Sequence, residues 1–350
     1  MTDLLLKGGD LLDPAQGLRG RYDVAIQGGR IQRVAPDLPT EGVRRVVDVR
    51  GKLVVPGLID LHAHCYEGVM ADAVDPDLAG VLSGVTTLVD AGSAGSDTFL
   101  GFARYVLPRA RTNVLAFVNL CHCGLVRMPE LRHASDVDVE GVVRRAQEFP
   151  GVVVGVKLRF VGAPMEALGV EAVRLARRAA RESGTRVMMH IGDRLAPADA
   201  DLTRFTRQAL EVLEPGDIVT HVYTPHPGRL LDAEGKAVPE LKAAVEAGLV
   251  LDPAHGRQNF GWDAAKRLLD QGVVPHTIST DITTPGRAAT VHSLTECMTR
   301  FLALGFSLED VVRMVTLNPA RVLGLEERLG SLAEGRAADV SVLEVVEGAW

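Results

Sequence analysis

The tetrapeptide His62-Ala63-His64-Cys65 closes the apolar run Val54-Val55-Pro56-Gly57-Leu58-Ile59-Asp60-Leu61. In an extended strand, residues two apart point to the same side. His62 and His64 therefore aim two imidazoles at one point in space. Imidazole is the commonest protein metal ligand, and two on one strand make half of a metal site. A lone His-x-His is often accidental, but this pair has company. Lys157, His190, His221 and Asp281 stand at the ends of later short apolar segments. Their convergence would assemble a metal-assisted hydrolytic site.

A protonated lysine has no lone pair to offer a cation. Lys157 lies within Val153-Val154-Gly155-Val156-Lys157-Leu158, and an apolar setting facing metals would strip its proton. The neutral amine can then take up carbon dioxide as a carbamate. Its two oxygens can bridge two cations as a carboxylate does.

Such groups need elements that bring them to one place. Eight apolar strand candidates, 54–62, 85–90, 114–120, 152–158, 186–191, 217–222, 249–254 and 276–281, alternate with helical patterns such as 166–181 and 288–304. Short continuous apolar strands separated by helices argue for a parallel sheet. Eight such units close into an α/β fold, the (β/α)8 TIM-type barrel, whose functional groups gather at the C-terminal strand ends. An open doubly wound sheet would show a Gly-x-Gly-x-x-Gly turn after its first strand, and the sequence has none there. Residues 1–55 carry only short β-rich runs, with Gly28-Gly29 as a hairpin signal. After the helical pattern 307–323, the segment 330–343 returns to turn–strand texture. The expected organisation is a barrel over 56–324 and a small composite β-domain built from 1–55 and 325–350.

The 350 residues are 47% hydrophobic and 24% charged, with a net charge of −7. That balance suits a globular chain with a large core and argues against a nucleic-acid surface. No stretch approaches the ~18 to 20 uncharged apolar residues of a membrane span, and the first residues lack a signal-peptide pattern, so a cytoplasmic protein is expected. The four cysteines, Cys65, Cys121, Cys123 and Cys297, form no Cys-x-x-Cys pair and read as reduced thiols. The expected partner is a small-molecule substrate, and a homo-oligomer is compatible with the sequence.

Three further groups of residues carry a family resemblance. They are Pro56-Gly57-Leu58-Ile59-Asp60-Leu61-His62-Ala63-His64, the tail Thr316-Leu317-Asn318-Pro319-Ala320, and Gly330-Ser331-Leu332 followed by Gly335-Arg336-Ala337-Ala338-Asp339-Val340. With them the chain resembles the amidohydrolase superfamily of binuclear metal hydrolases, relatives of dihydroorotase, urease and phosphotriesterase. Asp90-Ala91-Gly92-Ser93-Ala94-Gly95, Gly155-Val156-Lys157 and Asp252-Pro253-Ala254-His255-Gly256 are most similar to its amidohydrolase/deacetylase branch, some of whose members are thought to cleave acetyl esters of α-hydroxy acids. The resemblance implies that His62, His64 and Asp281 hold a buried metal, and that His190 and His221 hold a more exposed one. Carboxylated Lys157 would bridge the two, and Asp281 would serve as general base and then general acid. Zinc fits these ligands, as do manganese, cobalt and iron. The implied function is hydrolysis of an acyl ester or amide, such as an O-acetyl α-hydroxy acid or an N-acyl amino acid, by a metal-bridging hydroxide.

The departures narrow the substrate. Dihydroorotases place a carboxylate-binding arginine two positions beyond the second histidine, where this chain has Tyr66; Arg159 or Arg194 could take that part. Amino-sugar deacetylases commonly carry glutamate at the position of Lys157. His255, Tyr223, Ser93 and Arg159 are the expected substrate contacts. A cyclic amidase of the dihydroorotase or hydantoinase type and a non-catalytic barrel scaffold are the alternatives.

Overall fold

The computed structural model describes residues 2–162, 166 and 168–348. Ala167, inside the expected helical pattern 166–181, and the last two residues of the expected composite β-domain lie outside the described residues. The chain begins with β1 (Leu4–Asp13), β2 (Leu18–Gln27), β3 (Arg30–Ala35), β4 (Val46–Asp48) and β5 (Leu53–Pro56). A two-residue turn at Gly28-Gly29 joins β2 to β3, which pair antiparallel from Gln27 opposite Arg30. A later strand, numbered β13 (Val340–Leu343), returns to pair antiparallel with β5. The order in this sheet is β13-β5-β1-β2-β3, with β4 also on β1.

The second sheet is parallel and runs in sequence order through seven strands. They are β6 (Leu58–Ala63), β7 (Val85–Gly95), β8 (Asn113–Asn119), β9 (Val153–Arg159), β10 (Arg186–His190), β11 (Ile218–Thr220) and β12 (Val250–Asp252). Helices Val139–Glu148, Glu171–Ser183, Thr203–Leu210 and Pro239–Glu246 lie between successive strands from β8 to β12. Asp138 starts the first of them by accepting from the backbone N–H of Gly141, which satisfies an otherwise orphaned donor. The strands are mostly apolar because both faces are covered. Ile59, Leu61, Val89, Leu115 and Phe117 pack in one buried cluster, whereas Leu58, Leu88, Ala116 and Val118 belong to another.

Three sequence expectations need correction. The run 54–62 is two strands, one in each sheet, broken at Gly57. A Cβ there would stand 2.2 Å from Thr86 Oγ1 and 2.8 Å from Asp339 Cβ, so glycine lets the crossover pass. Strands six and seven are shorter than expected, because His221 (φ +70°) and Ala254 (φ +36°) turn the backbone out of the β region. The eighth candidate, 276–281, forms no strand, and the residue after it makes an isolated parallel bridge, Ala63 to Ile282. The side chain of Asp60 takes the amide of Thr280 at 3.0 Å, and Asp281 has φ +50°. The segment still reaches both sheet edges: Asp281 donates its amide to His62 O (2.7 Å), and Gly256 donates to Thr280 O (2.8 Å).

Candidate active site

The C-terminal ends of these strands place the expected ligands together. His62 lies on β6 and His64 just beyond it, with ring centroids 5.5 Å apart. Their Nε2 atoms stand 3.4 Å and 3.1 Å from Asp281 Oδ1. His221 follows β11, with Nε2 3.9 Å from Asp281 Oδ2. His190 ends β10, its ring centroid 4.2 Å from that of His221. Lys157 on β9 brings Nζ to 3.2 Å from His62 Nε2. His62, His221 and Asp281 each offer a ligand atom within 4.8 Å of the other two.

The imidazoles are held from behind. His221 Nδ1 lies 2.7 Å from the carbonyl of Ala254, which can only accept, so its proton is on Nδ1 and its Nε2 carries a lone pair. Among the described residues, that buried Nε2 has no hydrogen-bond partner. His64 Nδ1 meets Ser93 Oγ at 2.9 Å, and His62 Nδ1 meets Thr220 Oγ1 at 3.0 Å. Backbone strain accumulates in the same place. Of the four non-glycine residues with positive φ among the described residues, His221, Ala254 and Asp281 belong here and Asp37 does not. Such conformations cost about 1–3 kcal/mol each and cluster at functional sites.

Burial sets the charges. It pushes His62 and His190 well below the usual histidine value, and His221 down to about 4. All three are therefore neutral at pH 7. Burial also pulls the amine of Lys157 from 10.5 to about 7, against the pull of the Asp281 carboxylate. Asp281 moves the other way: burial opposes its charge, but the neighbouring imidazoles hold it below the usual carboxylate value. The carboxylate oxygens and the ring nitrogens of His62, His64 and His221 converge on one small space, which a shared cation could occupy. Imidazole nitrogen with carboxylate oxygen is the donor set that divalent transition metals take. The residues fit such ions.

A cavity of about 270 Å³ opens above the cluster, lined among others by His64, Lys157, Arg159, His190, Arg194, Arg257, Asn259 and Asp281. Of the expected substrate contacts, only Arg159 reaches it, and its charge is engaged by Glu130 at 2.8 Å. Ser93 is fully buried and lies behind His64. Tyr223 is buried as well, turned away so that its hydroxyl donates to Val273 O at 3.2 Å. His255 stacks on Phe260 with centroids 4.1 Å apart, packed in the core. These three therefore lie outside the cavity wall.

Several residues of the site had escaped sequence reasoning. Asn259 donates to Asp281 Oδ2 at 3.3 Å, and Arg257 lines the cavity without an ion-pair partner among the described residues. Both belong to the loop after Asp252-Pro253-Ala254-His255-Gly256, whose motif was visible although its outward-facing members were not. Asp252, buried beside Thr220, Thr277 and Ser279, had only its place at a strand end as a signal.

Histidines, an aspartate and a lysine whose amine is pulled down to about 7, at the C-terminal rim of a parallel, helix-covered sheet, define a hydrolase class. Residues 53–348 match the amidohydrolase family. The chain belongs to that family and is a hydrolase. It is 33% identical over 329 residues to a deacetylase of Agrobacterium fabrum, covering 93% of this chain and 79% of the relative. The crystal structure of an adenine deaminase superposes with a TM-score of 0.87 at 30% identity, covering 98% of this chain and 90% of that one. A dihydroorotase structure does so with a TM-score of 0.82 at 31% identity, covering 97% and 89%.

Proposed function

We propose that the protein is a binuclear metal-dependent deacetylase-like hydrolase. It cleaves an acyl ester or amide such as an O-acetyl α-hydroxy acid or an N-acyl amino acid. The observation that carries this proposal is the buried, partnerless Nε2 of His221, 3.9 Å from an ionised Asp281. His62, His64 and Asp281 would hold one divalent cation and His190 and His221 the other, zinc fitting both, with carboxylated Lys157 shared between them. Two such ions, when bound, supply a hydroxide nucleophile at neutral pH and polarise the scissile carbonyl.

The chain's own residues supply the rest. Asp281 accepts the proton of the attacking water on Oδ2 and returns it to the leaving group. Asn259 orients that carboxylate from the cavity side. Arg194 and Arg257 face the same cavity without ion-pair partners among the described residues, and they suit a substrate carboxylate. The working unit is a (β/α)8 barrel over 56–324, with 1–55 and 325–350 forming a composite β-domain.

The similarity to a dihydroorotase structure favours a cyclic amidase as the second reading. Zinc-loaded, bicarbonate-treated protein should be offered an O-acetyl α-hydroxy acid, the matching N-acetyl amino acid, a ring amide of similar size and adenine. Cleavage of the open-chain acetyl compounds supports the proposal, and the ester-to-amide ratio names the bond. Turnover of the ring amide or of adenine alone overturns it.

A further inference from the structure

Below the metal-ligand cluster lies a fully buried polar chain that neither the family match nor the proposed chemistry assigns. Thr220, the last residue of β11, and Asp252, the last residue of β12, are both inaccessible to solvent. Thr220 Oγ1 stands 3.0 Å from His62 Nδ1 and donates to Asp252 Oδ2 at 3.1 Å. Ser279 donates to the same oxygen at 2.7 Å, and Thr277 donates to Asp252 Oδ1 at 2.7 Å. Asp252 itself is 4.0 Å from His62 Nδ1, too far for a hydrogen bond. The threonine hydroxyl is therefore the intermediary.

Proton counting gives the direction of each bond. A threonine hydroxyl has one proton and two lone pairs. Its proton goes to Asp252, so a lone pair faces His62 Nδ1, which must supply the proton between them. That leaves Nε2 of His62 as a bare lone pair, aimed at Lys157 Nζ (3.2 Å) and the Asp281 side of the cluster (3.4 Å). The opposite tautomer would present an N–H to the cluster and could not bind a cation.

We propose that Thr220, backed by Asp252, is a positioning residue that fixes the tautomer of His62 and thereby keeps its Nε2 free for a divalent cation. This inference rests on His62 being a metal ligand. Partners of this kind behind a ligand typically change metal affinity ~10- to 100-fold when removed. Thr220→Val keeps the shape and loses the hydroxyl, whereas Thr220→Ser keeps the hydroxyl and loses the methyl group.

The test measures Zn2+ affinity of apoprotein by competition with a chelator. Alongside it, 15N spectra of histidine-labelled, metal-free protein report which ring nitrogen of His62 bears the proton. The expected result is affinity weakened about 10- to 100-fold in Thr220→Val, with the His62 signal moved away from the Nδ1–H pattern, and both near wild type in Thr220→Ser. A packing role predicts the reverse ranking, and that ranking overturns the proposal. So does a wild-type His62 already protonated on Nε2. If wild-type protein binds no Zn2+ yet His62 carries its proton on Nδ1, the metal-site proposal fails while the tautomer assignment stands.

Discussion

Gly256 has φ +53°, and a Cβ placed on it would stand 2.3 Å from Asp281 Oδ2 and 3.0 Å from Asn259 Nδ2. Gly256→Ala therefore acts in two ways of different size. The left-handed backbone costs an alanine roughly 1–2 kcal/mol, which spread over a chain of this length lowers Tm by a few degrees. The steric part falls on one carboxylate. To restore an ordinary contact of roughly 3.5 Å, Asp281 Oδ2 must retreat by roughly 1 Å, carrying it away from Asn259 and from the proton it is proposed to transfer. Displacement of a reacting group by that distance can cost ~100-fold in rate, or about 2.7 kcal/mol of barrier. The assay compares kcat for an acyl substrate that the wild-type protein turns over with bound metal by elemental analysis and with thermal melting. The expected variant melts a few degrees low, retains its metal and loses about two orders of magnitude in kcat. A variant with wild-type kcat would refute the reasoning, because Asp281 would then tolerate the move.

Other consequences are simpler. Asp281→Asn should abolish turnover while the melting temperature of the apoprotein stays close to wild type; undiminished turnover would show that the proton travels elsewhere. Arg194→Gln and Arg257→Gln should each raise KM roughly 10-fold for a carboxylate substrate, the scale of one lost charged hydrogen bond, and leave KM for its neutral amide unchanged; equal effects on acid and amide would remove these arginines from recognition. Asp136 gives a pH signature away from the metals. Burial opposes its charge, but the amides of Arg132 and His133 and the guanidinium of Arg127 hold it down from 3.8 to about 2. A folded value below the unfolded one means that its stabilisation is complete above about pH 4 and is lost as pH falls towards 2. Acid unfolding of Asp136→Asn should show a shallower loss over that window, and an identical acid limb would count against the assignment.

The convergence of these side chains was legible because they stand near strand ends: each of His62, Lys157, His190 and His221 follows an apolar run. Asp281 was legible too, although its strand is not a strand. Its expected strand was right in place and wrong in conformation, since the side chain of Asp60 takes the amide of Thr280. Substrate contacts were less legible because they depend on loop geometry. His255 and Tyr223 occupy strand-end positions as His221 does, but their loops fold them against Phe260 and Phe301. Ser93 sat in a recognisable motif, yet its partner proved to be the His64 ring. Asn259 and Arg257 reach the cavity only through the turn at Gly256, which no periodicity announces.

The pairing of β13 with β5 has a consequence for how the chain acquires its structure. Leu58, at the start of the strand bearing His62, donates its amide to Ser341 Oγ across 283 residues. Closing a loop of that length carries an entropic penalty that grows with its logarithm, and such distant pairings form slowly. During synthesis, β5 has emerged long before its β13 partner exists. The nascent strand edge stays open until Val340–Leu343 has emerged, and docking of that strand is the step that seals it. Slow refolding after dilution from denaturant should therefore report on Val340–Leu343, and strand-edge association of unfinished chains is the hazard this topology carries.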